Sequence, residues 1–290
     1  NHACALCVEK GLQVEIPERA KVIRVLMDEL TRIASHELWW GAMAMDLGAF
    51  TPFFHAFRER ETINDIMEET CGARLTMNYM VPGGVMHDIH PNFQRRVREF
   101  LQLYKRKIHE YDELVTGNII FQNRMKGVGI LSAEDAISYG CTGPVARGSG
   151  VSSDIRKVQP YEIYDKLQFD EVLETGCDSF ARYLIRIREM NESIRIVEQL
   201  IDNIPEGDFQ AKTKAVLKLP KGEFYTRVET ARGELGVYIV SEGGTTPYRI
   251  KFRSPGFSNL SVLDKIARGG KIGDLIAMMG TLDLVIPDID

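Results

Sequence analysis

The strongest constraint in this chain is a change of period. Over roughly the first two thirds, apolar side chains recur every three or four positions; in the last third they alternate. A 3.6-residue period buries a stripe as a helix and a two-residue period buries a face as a strand. Asn1–Lys10 reads as helix. Behind Pro17, which a first helical turn tolerates, Val22, Leu26, Leu30, Ile33 and Leu38 form a stripe. Arg24, Asp28 and Arg32 line another face at i, i+4 spacing. Gly41 and Gly48 interrupt this pattern around Ala42–Leu47, and Thr51-Pro52 closes it. A second helix is expected from about Phe53 to Thr70, stopped by Gly72. A third, from about Asn92 to Thr116, buries Phe93, Val97, Phe100, Tyr104, Ile108 and Tyr111 and ends at Gly117-Asn118.

Beyond it, Ser132 and Asp135 mark a helix start and Gly140 its end. Gly143–Gly150 is expected to be irregular. Its glycines read as a backbone that something approaches closely, another subunit among the candidates. A long helix is expected from about Asp178 to Asn203, then a basic connector over Lys214–Lys221. Gly236–Val240 and Tyr248–Phe252 read as a hairpin around Glu242-Gly243-Gly244, and Ile272–Met279 as a short terminal helix. The expected fold class is mainly α (α+β): a helical bundle with a small C-terminal β-hairpin element. The helical core covers about 1–205 and the C-terminal α/β part about 222–290.

Size and charge narrow the function. A chain of 290 residues can bury a core without disulfide or metal staples. Its 36 basic and 41 acidic residues give a net charge of −5, which speaks against nucleic acid as a partner. Five scattered cysteines, an odd number, read as reduced thiols. No apolar run reaches the ~18 residues of a membrane span, and no signal peptide pattern is present. The chain starts at Asn1, already inside a helical pattern, which predicts a longer protein with a further N-terminal portion.

Few motifs carry chemistry unaided. Cys4 and Cys7 form a CxxC without the second pair or the βαβ setting that a metal or redox site needs, so they read as small packing residues. His87 and His90 lack a third zinc ligand and read as loop histidines before a helix. Gly148-Ser149-Gly150 lacks the phosphate-loop ending. Within Arg58-Glu59-Arg60-Glu61, which follows Phe53-Phe54, one or more charges are expected to be buried and paired. Asp46 is the oddest residue, a carboxylate inside Ala42-Met43-Ala44-Met45-Asp46-Leu47-Gly48-Ala49-Phe50. Two readings stand: a helix-end carboxylate that caps a backbone N–H, or a proton-handling acid in an apolar pocket.

The string from Asp46 to Phe54, then Phe57–Glu61, resembles one family closely. So do Gly83-Gly84-Val85, Arg147–Gly150, Asp154–Lys157, Pro160-Tyr161, Arg186–Met190, Ala231–Gly236 and Pro255-Gly256-Phe257. The chain resembles the quinone-site large subunit of respiratory complex I, the D component of that assembly, whose ancestor is the nickel–iron hydrogenase large subunit. The resemblance runs through the whole chain in order. It implies a quinone headgroup, of menaquinone or ubiquinone, held between this subunit and a neighbour carrying the terminal 4Fe–4S cluster. NADH and FMN would bind other subunits, and a membrane subunit would form the quinone entrance. The implied location is the cytoplasmic face of the bacterial inner membrane, as a peripheral subunit.

The resemblance also implies residue roles. The family's Tyr and His that hydrogen-bond the quinone lie upstream of Asn1. Asp46 matches the acid that pairs with that His, and Ala42, Phe54 and Val285 match positions of the quinone cavity. No metal is expected on this chain, because Leu284, Val285 and Asp288 stand where a hydrogenase has Pro and two metal-binding Cys. Arg74, Thr76 and Val81 fall near the partner's cluster. Thr76 replaces a His and Val81 an Arg, so the implied cluster potential is low and nearly independent of pH, as suits menaquinone. The family's last Arg, after Asp290, is also missing. Two other functions are compatible with the residues alone: the equivalent subunit of a ferredoxin- or F420-linked oxidoreductase, and a non-catalytic scaffold.

Overall fold

The structure, a computed structural model, describes residues 1–289; Asp290 lies outside the described residues. In chain order, α1 (His2–Leu12), α2 (Glu18–Asp46) and α3 (Phe50–Cys71) lead into a two-stranded ribbon, β1 (Met80–Val81) and β2 (Gly84–Val85). Then come α4 (Phe93–Tyr111), α5 (Ile119–Met125), α6 (Ala133–Ser138), α7 (Gly143–Arg147), α8 (Ile155–Val158) and α9 (Ser179–Ile201). Last are β3 (Gly222–Thr230), β4 (Gly233–Ser241), β5 (Arg249–Arg253), α10 (Pro255–Ser261), α11 (Leu263–Ala267) and α12 (Ile272–Leu282). The class is the expected one, mainly helical with a small antiparallel sheet.

The stripes pack where their periods point. Leu26, Leu30 and Ile33 of α2 meet Phe100 and Tyr104 of α4 and Tyr183, Ile187 and Ile194 of α9 in the main core. Stacked Trp40 and Tyr111 rings, 4.1 Å apart at their centres, lie inside it. Past Tyr111, α4 widens into a π-helical turn over Asp112–Thr116. The expected stops at Gly72 and Gly140 both hold positive φ, 77° and 67°. Ser132 accepts a hydrogen bond from the Asp135 amide at 3.1 Å, the expected cap.

Three expectations change. The glycine at 41 does not interrupt α2, which runs unbroken to Asp46. A Cβ there would lie 3.0 Å from Ala56 Cβ and 3.1 Å from Phe53 Cα, so Gly41 is where α3 crosses α2. Gly143–Gly150 is not wholly irregular, because Gly143–Arg147 makes a short buried helix. The close approach there is internal: a Gly143 Cβ would lie 2.4 Å from Gly233 Cα, and a Gly148 Cβ 2.8 Å from Arg182 Cγ. The hairpin is the outer part of a three-stranded sheet, because β3 pairs β4 along its whole length. The sheet's inner face, Val228, Val237 and Ile239, is covered by Ala3 and the buried Cys7 of α1. The first helix therefore packs on the C-terminal sheet.

A buried ion network fixes α1 to α2. His2 bridges Asp28 (Nδ1 to Oδ2, 2.6 Å) and Glu162 (Nε2 to Oε1, 3.0 Å). Fully buried Arg24 spans Glu9 and Glu162 and donates to the Val81 and Gly84 carbonyls. Burial alone would lower the His2 pKa, but Asp28 and Glu162 outweigh it and push it up to about 9. Burial would likewise raise Glu29, but Arg32 and Arg156 hold it down to about 2. The two linkages have opposite signs. The His2 contribution is complete below its ordinary 6.5 and is lost as pH climbs through about 9. The Glu29 contribution is complete above 4.5 and is lost as pH falls through about 2. His2→Gln should therefore cost on the order of a few kcal/mol near neutral pH and nothing extra at high pH. Unfolding midpoints of variant and parent, measured against pH, should converge on the alkaline side only.

Candidate functional site

Helix α2 ends with a carboxylate. Leu38, Ala42 and Asp46 follow one another at i, i+4 and i+8 and share one face. That face forms a wall of an open cleft of about 620 Å³, with Trp39 and Met43 beside it. The opposite wall is α12, through Ile276, Met279 and Gly280. The helices touch closely here: the Trp39 indole donates to the Gly280 carbonyl at 2.6 Å, and a Gly280 Cβ would lie 3.2 Å from Met43 Cγ. Asp283, at φ 54°, ends α12 in the left-handed conformation, and the chain then turns so that Leu284 and Val285 line the cleft.

Ala42, Asp46 and Val285 thus meet in one cleft, although Val285 is far from the other two in sequence. Phe54 does not line it. It sits on α3, 68% exposed, with Phe53 packed edge-on against it. Asp46 is itself exposed, and none of the described residues hydrogen-bonds its carboxylate. The last turn of α2 is closed by backbone bonds instead, among them Ala49 N–H to the Ala44 carbonyl at 2.8 Å. A carboxylate at this position stands at the negative end of the helix dipole, where a cation is its favoured neighbour.

Besides Asp46, the charged residues that line the cleft are Arg232 and Asp283. Arg232 comes from the turn between β3 and β4, and its Nε lies 3.4 Å from the Asp283 carboxylate. Behind it, fully buried Arg186 stacks on Trp39, 4.6 Å above the ring, with Nε 4.0 Å from the same carboxylate. Burial lowers the Arg186 pKa to about 10, so the group keeps its charge at neutral pH. Neither the Arg186 Nε nor Asp283 Oδ2 has a hydrogen-bond partner among the described residues. Sequence reading assigned Trp39, Arg186, Arg232 and Asp283 no role in this cleft. Arg186 and Arg232 lie in the strings that carried the resemblance; α12 and the αL turn at Asp283 bring the far end of the chain to α2.

Beyond Arg232 lies a more enclosed cavity of about 300 Å³, lined by Asp28, Arg32, Tyr161 and Glu229 among others. Its rear wall is a second buried network. Arg147, fully buried, pairs with Glu189 and, at 2.8 Å, with Glu229. Burial would raise Glu189, yet Arg147 and His36 outweigh it and hold it below the usual carboxylate range. The Glu229 carboxyl is the one that burial pushes up, to about 7. His36 stays neutral, because burial lowers it more than Glu189 at 2.9 Å raises it.

The remaining sequence candidates lie elsewhere. Arg74 is held by three acids of α3: Glu61, Asp65 at 2.8 Å and Glu68 at 2.7 Å. Thr76 is exposed with φ 53°, and Val81 sits in β1 with its carbonyl accepting from Arg24. His87 is exposed, and His90 Nδ1 accepts the Asn92 N–H at 3.2 Å. Glu59 is the buried and paired member of the charge run, held by Arg58. Among the described residues, no group of three His, Cys, Asp or Glu side chains gathers as a metal site.

Comparison with known sequences fixes the family. The pattern of the family described as "Respiratory-chain NADH dehydrogenase, 49 Kd subunit" matches residues 46–290. The chain belongs to this family. It is 55% identical, along its whole length, to the NADH-quinone oxidoreductase C/D subunit of Bacteroides thetaiotaomicron, of which it covers 54%. It is 49% identical to a D-type NADH-quinone oxidoreductase subunit of Opitutus terrae, covering 73% of it. It is 47% identical to the D-type NADH-quinone oxidoreductase subunit of Bacillus cytotoxicus, covering 80% of it. The chain thus spans about half the length of the C/D relatives. No described helix is long and apolar enough to cross a membrane.

Proposed function

We propose that this chain is the quinone-site subunit of a proton-translocating NADH:quinone oxidoreductase and forms one wall of its quinone chamber. The observation that carries this reading is the meeting of Ala42, Asp46 and Val285 in one apolar cleft with Arg232 at its floor. Apolar walls exclude water from a flat ring. Asp46 supplies the negative charge that would fix the tautomer of a histidine beside it and favour its protonated form. Reduction to quinol takes two electrons and two protons, and the electrons come from a 4Fe–4S cluster on a neighbouring subunit. Arg74, Thr76 and Val81 face that neighbour in this reading, and Phe54, exposed on α3, completes the chamber against the adjoining subunits. A second partner is the membrane subunit at the quinone entrance; NADH and FMN sit on other subunits, and the complex lies on the cytoplasmic face of the bacterial inner membrane.

Val285→Trp tests the cleft. The larger ring fills it from the C-terminal wall, so the KM for a short-chain quinone should rise roughly tenfold, the equivalent of about 1.4 kcal/mol of lost binding. NADH oxidation by an artificial acceptor, measured on the same membranes, should stay unchanged. An unaltered KM would move the quinone away from Val285.

A further inference from the structure

On the side of α2 turned away from the cleft, two acids meet in the core. Glu37 projects from α2 and Glu59 from α3, and both side chains are buried. Arg58 grips Glu59 with two prongs, Nε to Oε2 at 2.7 Å and Nη2 to Oε1 at 2.5 Å. Glu37 has no cation among the described residues. Its Oε1 accepts a long hydrogen bond from the Tyr111 hydroxyl, 3.3 Å, and its Oε2 has no partner. The other groups facing the pair are Tyr104 on α4 and Arg60 on α3. Arg60 lies over the Phe57 ring, 5.8 Å from its centre, with Nε unpartnered. Burial keeps both tyrosine hydroxyls protonated. One gripped carboxylate beside one buried, unpaired carboxyl is an arrangement that admits a single negative charge.

We propose that Glu37 and Glu59 form a one-proton site, with the proton on Glu37 and the charge on Glu59, and that this proton keeps α3 seated on α2. Burial, reinforced by the neighbouring Glu59, pushes the Glu37 carboxyl well above the usual carboxylate range. The seat itself is close by. Gly41, one turn after Glu37, meets Ala56, one turn before Glu59, with no room for a Cβ between them. A second negative charge beside this contact is relieved by parting the helices, since Arg60, the other cation that faces the pair, lies over the Phe57 ring and bonds neither acid. The turn that joins Asp46 to α3 would move with them. Proton occupancy at Glu37 therefore sets the position of the cleft rim, whatever the cleft binds.

Peptide-resolved hydrogen exchange of the assembled complex, from pH ~6 to ~10, tests this. Above the ordinary carboxylate value and below the pair's apparent pKa, amides of residues 50–71 should exchange up to about tenfold faster per pH unit than base catalysis of exchange alone predicts, and above that pKa the excess should level off. In Glu37→Gln, whose amide mimics the protonated acid, the excess should vanish. In Glu59→Gln, the like charge that helps hold the proton on Glu37 is gone; Glu37 then ionises at lower pH and without repulsion, so the excess should level off at lower pH or disappear. The proposal is overturned if α3 follows base catalysis alone across the range, or if the excess persists unchanged in either variant. Should Glu37→Gln fail to assemble, the parent and Glu59→Gln decide.

Discussion

Asp46→Asn is expected to cut quinone reduction by the assembled complex by roughly 10²–10⁴-fold, the range for losing one positioned proton-handling group. The substitution removes charge and little else. Asparagine has the same shape, the side chain is exposed, and no described residue hydrogen-bonds it, so assembly should survive. What is lost is the negative charge at the end of α2, in a cleft whose other charges are Arg232 and Asp283. The pH profile distinguishes a proton-handling role from a packing one. If Asp46 supports the charged form of a histidine, the variant's residual rate should fall off at lower pH than the parent's as pH is raised. Rates within about twofold of the parent at all pH values would favour a scaffold and sink the mechanism. For scale, 1.36 kcal/mol in the barrier is a factor of ten in rate.

Arg147→Met is expected to have the largest effect on stability. Arg147 is fully buried between Glu189 and Glu229, and its removal leaves two enclosed carboxyls facing each other without their cation. Breaking a buried pair in this way costs about 3–5 kcal/mol. Glu229 also accepts the Ile155 N–H at 3.1 Å, so the disturbance reaches α8. The subunit should accumulate poorly and assembled complex should be scarce on native gels. An exposed pair gives the contrast. Arg98 and Asp202 lie 2.6 Å apart at the surface, and Arg98→Ala should change stability by no more than ~1 kcal/mol. Equal losses in the two variants would show that burial is not what gives the Arg147 pairs their weight.

Much of the fold could be read from spacing, and the exceptions share a cause. The α2, α4 and α9 stripes are long and regular, so their periods found them. Gly41 looked like a break because the sequence does not show Phe53 and Ala56 lying against it. The short α7 helix was hidden by glycines that exist for close approach to Gly233 and Arg182. Strand β3 was missed because its outer residues, Glu223, Tyr225 and Arg227, are polar, and its pairing with β4 depends on a tight turn at Gly233. For the cleft, Ala42 and Asp46 were legible as neighbours on one helical face. Arg232 and Asp283 were not, since their meeting depends on how the C-terminal segment folds back. Glu37 drew no notice because one acid in a long helix reads as solvated until Glu59 is seen across from it.

The first helix binds the last sheet: Lys10 donates to the Tyr225 carbonyl across 215 residues of chain, and Cys7 lies buried against Val237 and Ile239. On the ribosome, α1 emerges long before the strands that cover it. Loop-closure entropy delays such distant contacts, and apolar surface left waiting attracts aggregation. A nascent chain of this kind must shelter α1 until the strands of the sheet have been made, so its yield in cells should depend on holding chaperones more than its finished stability suggests.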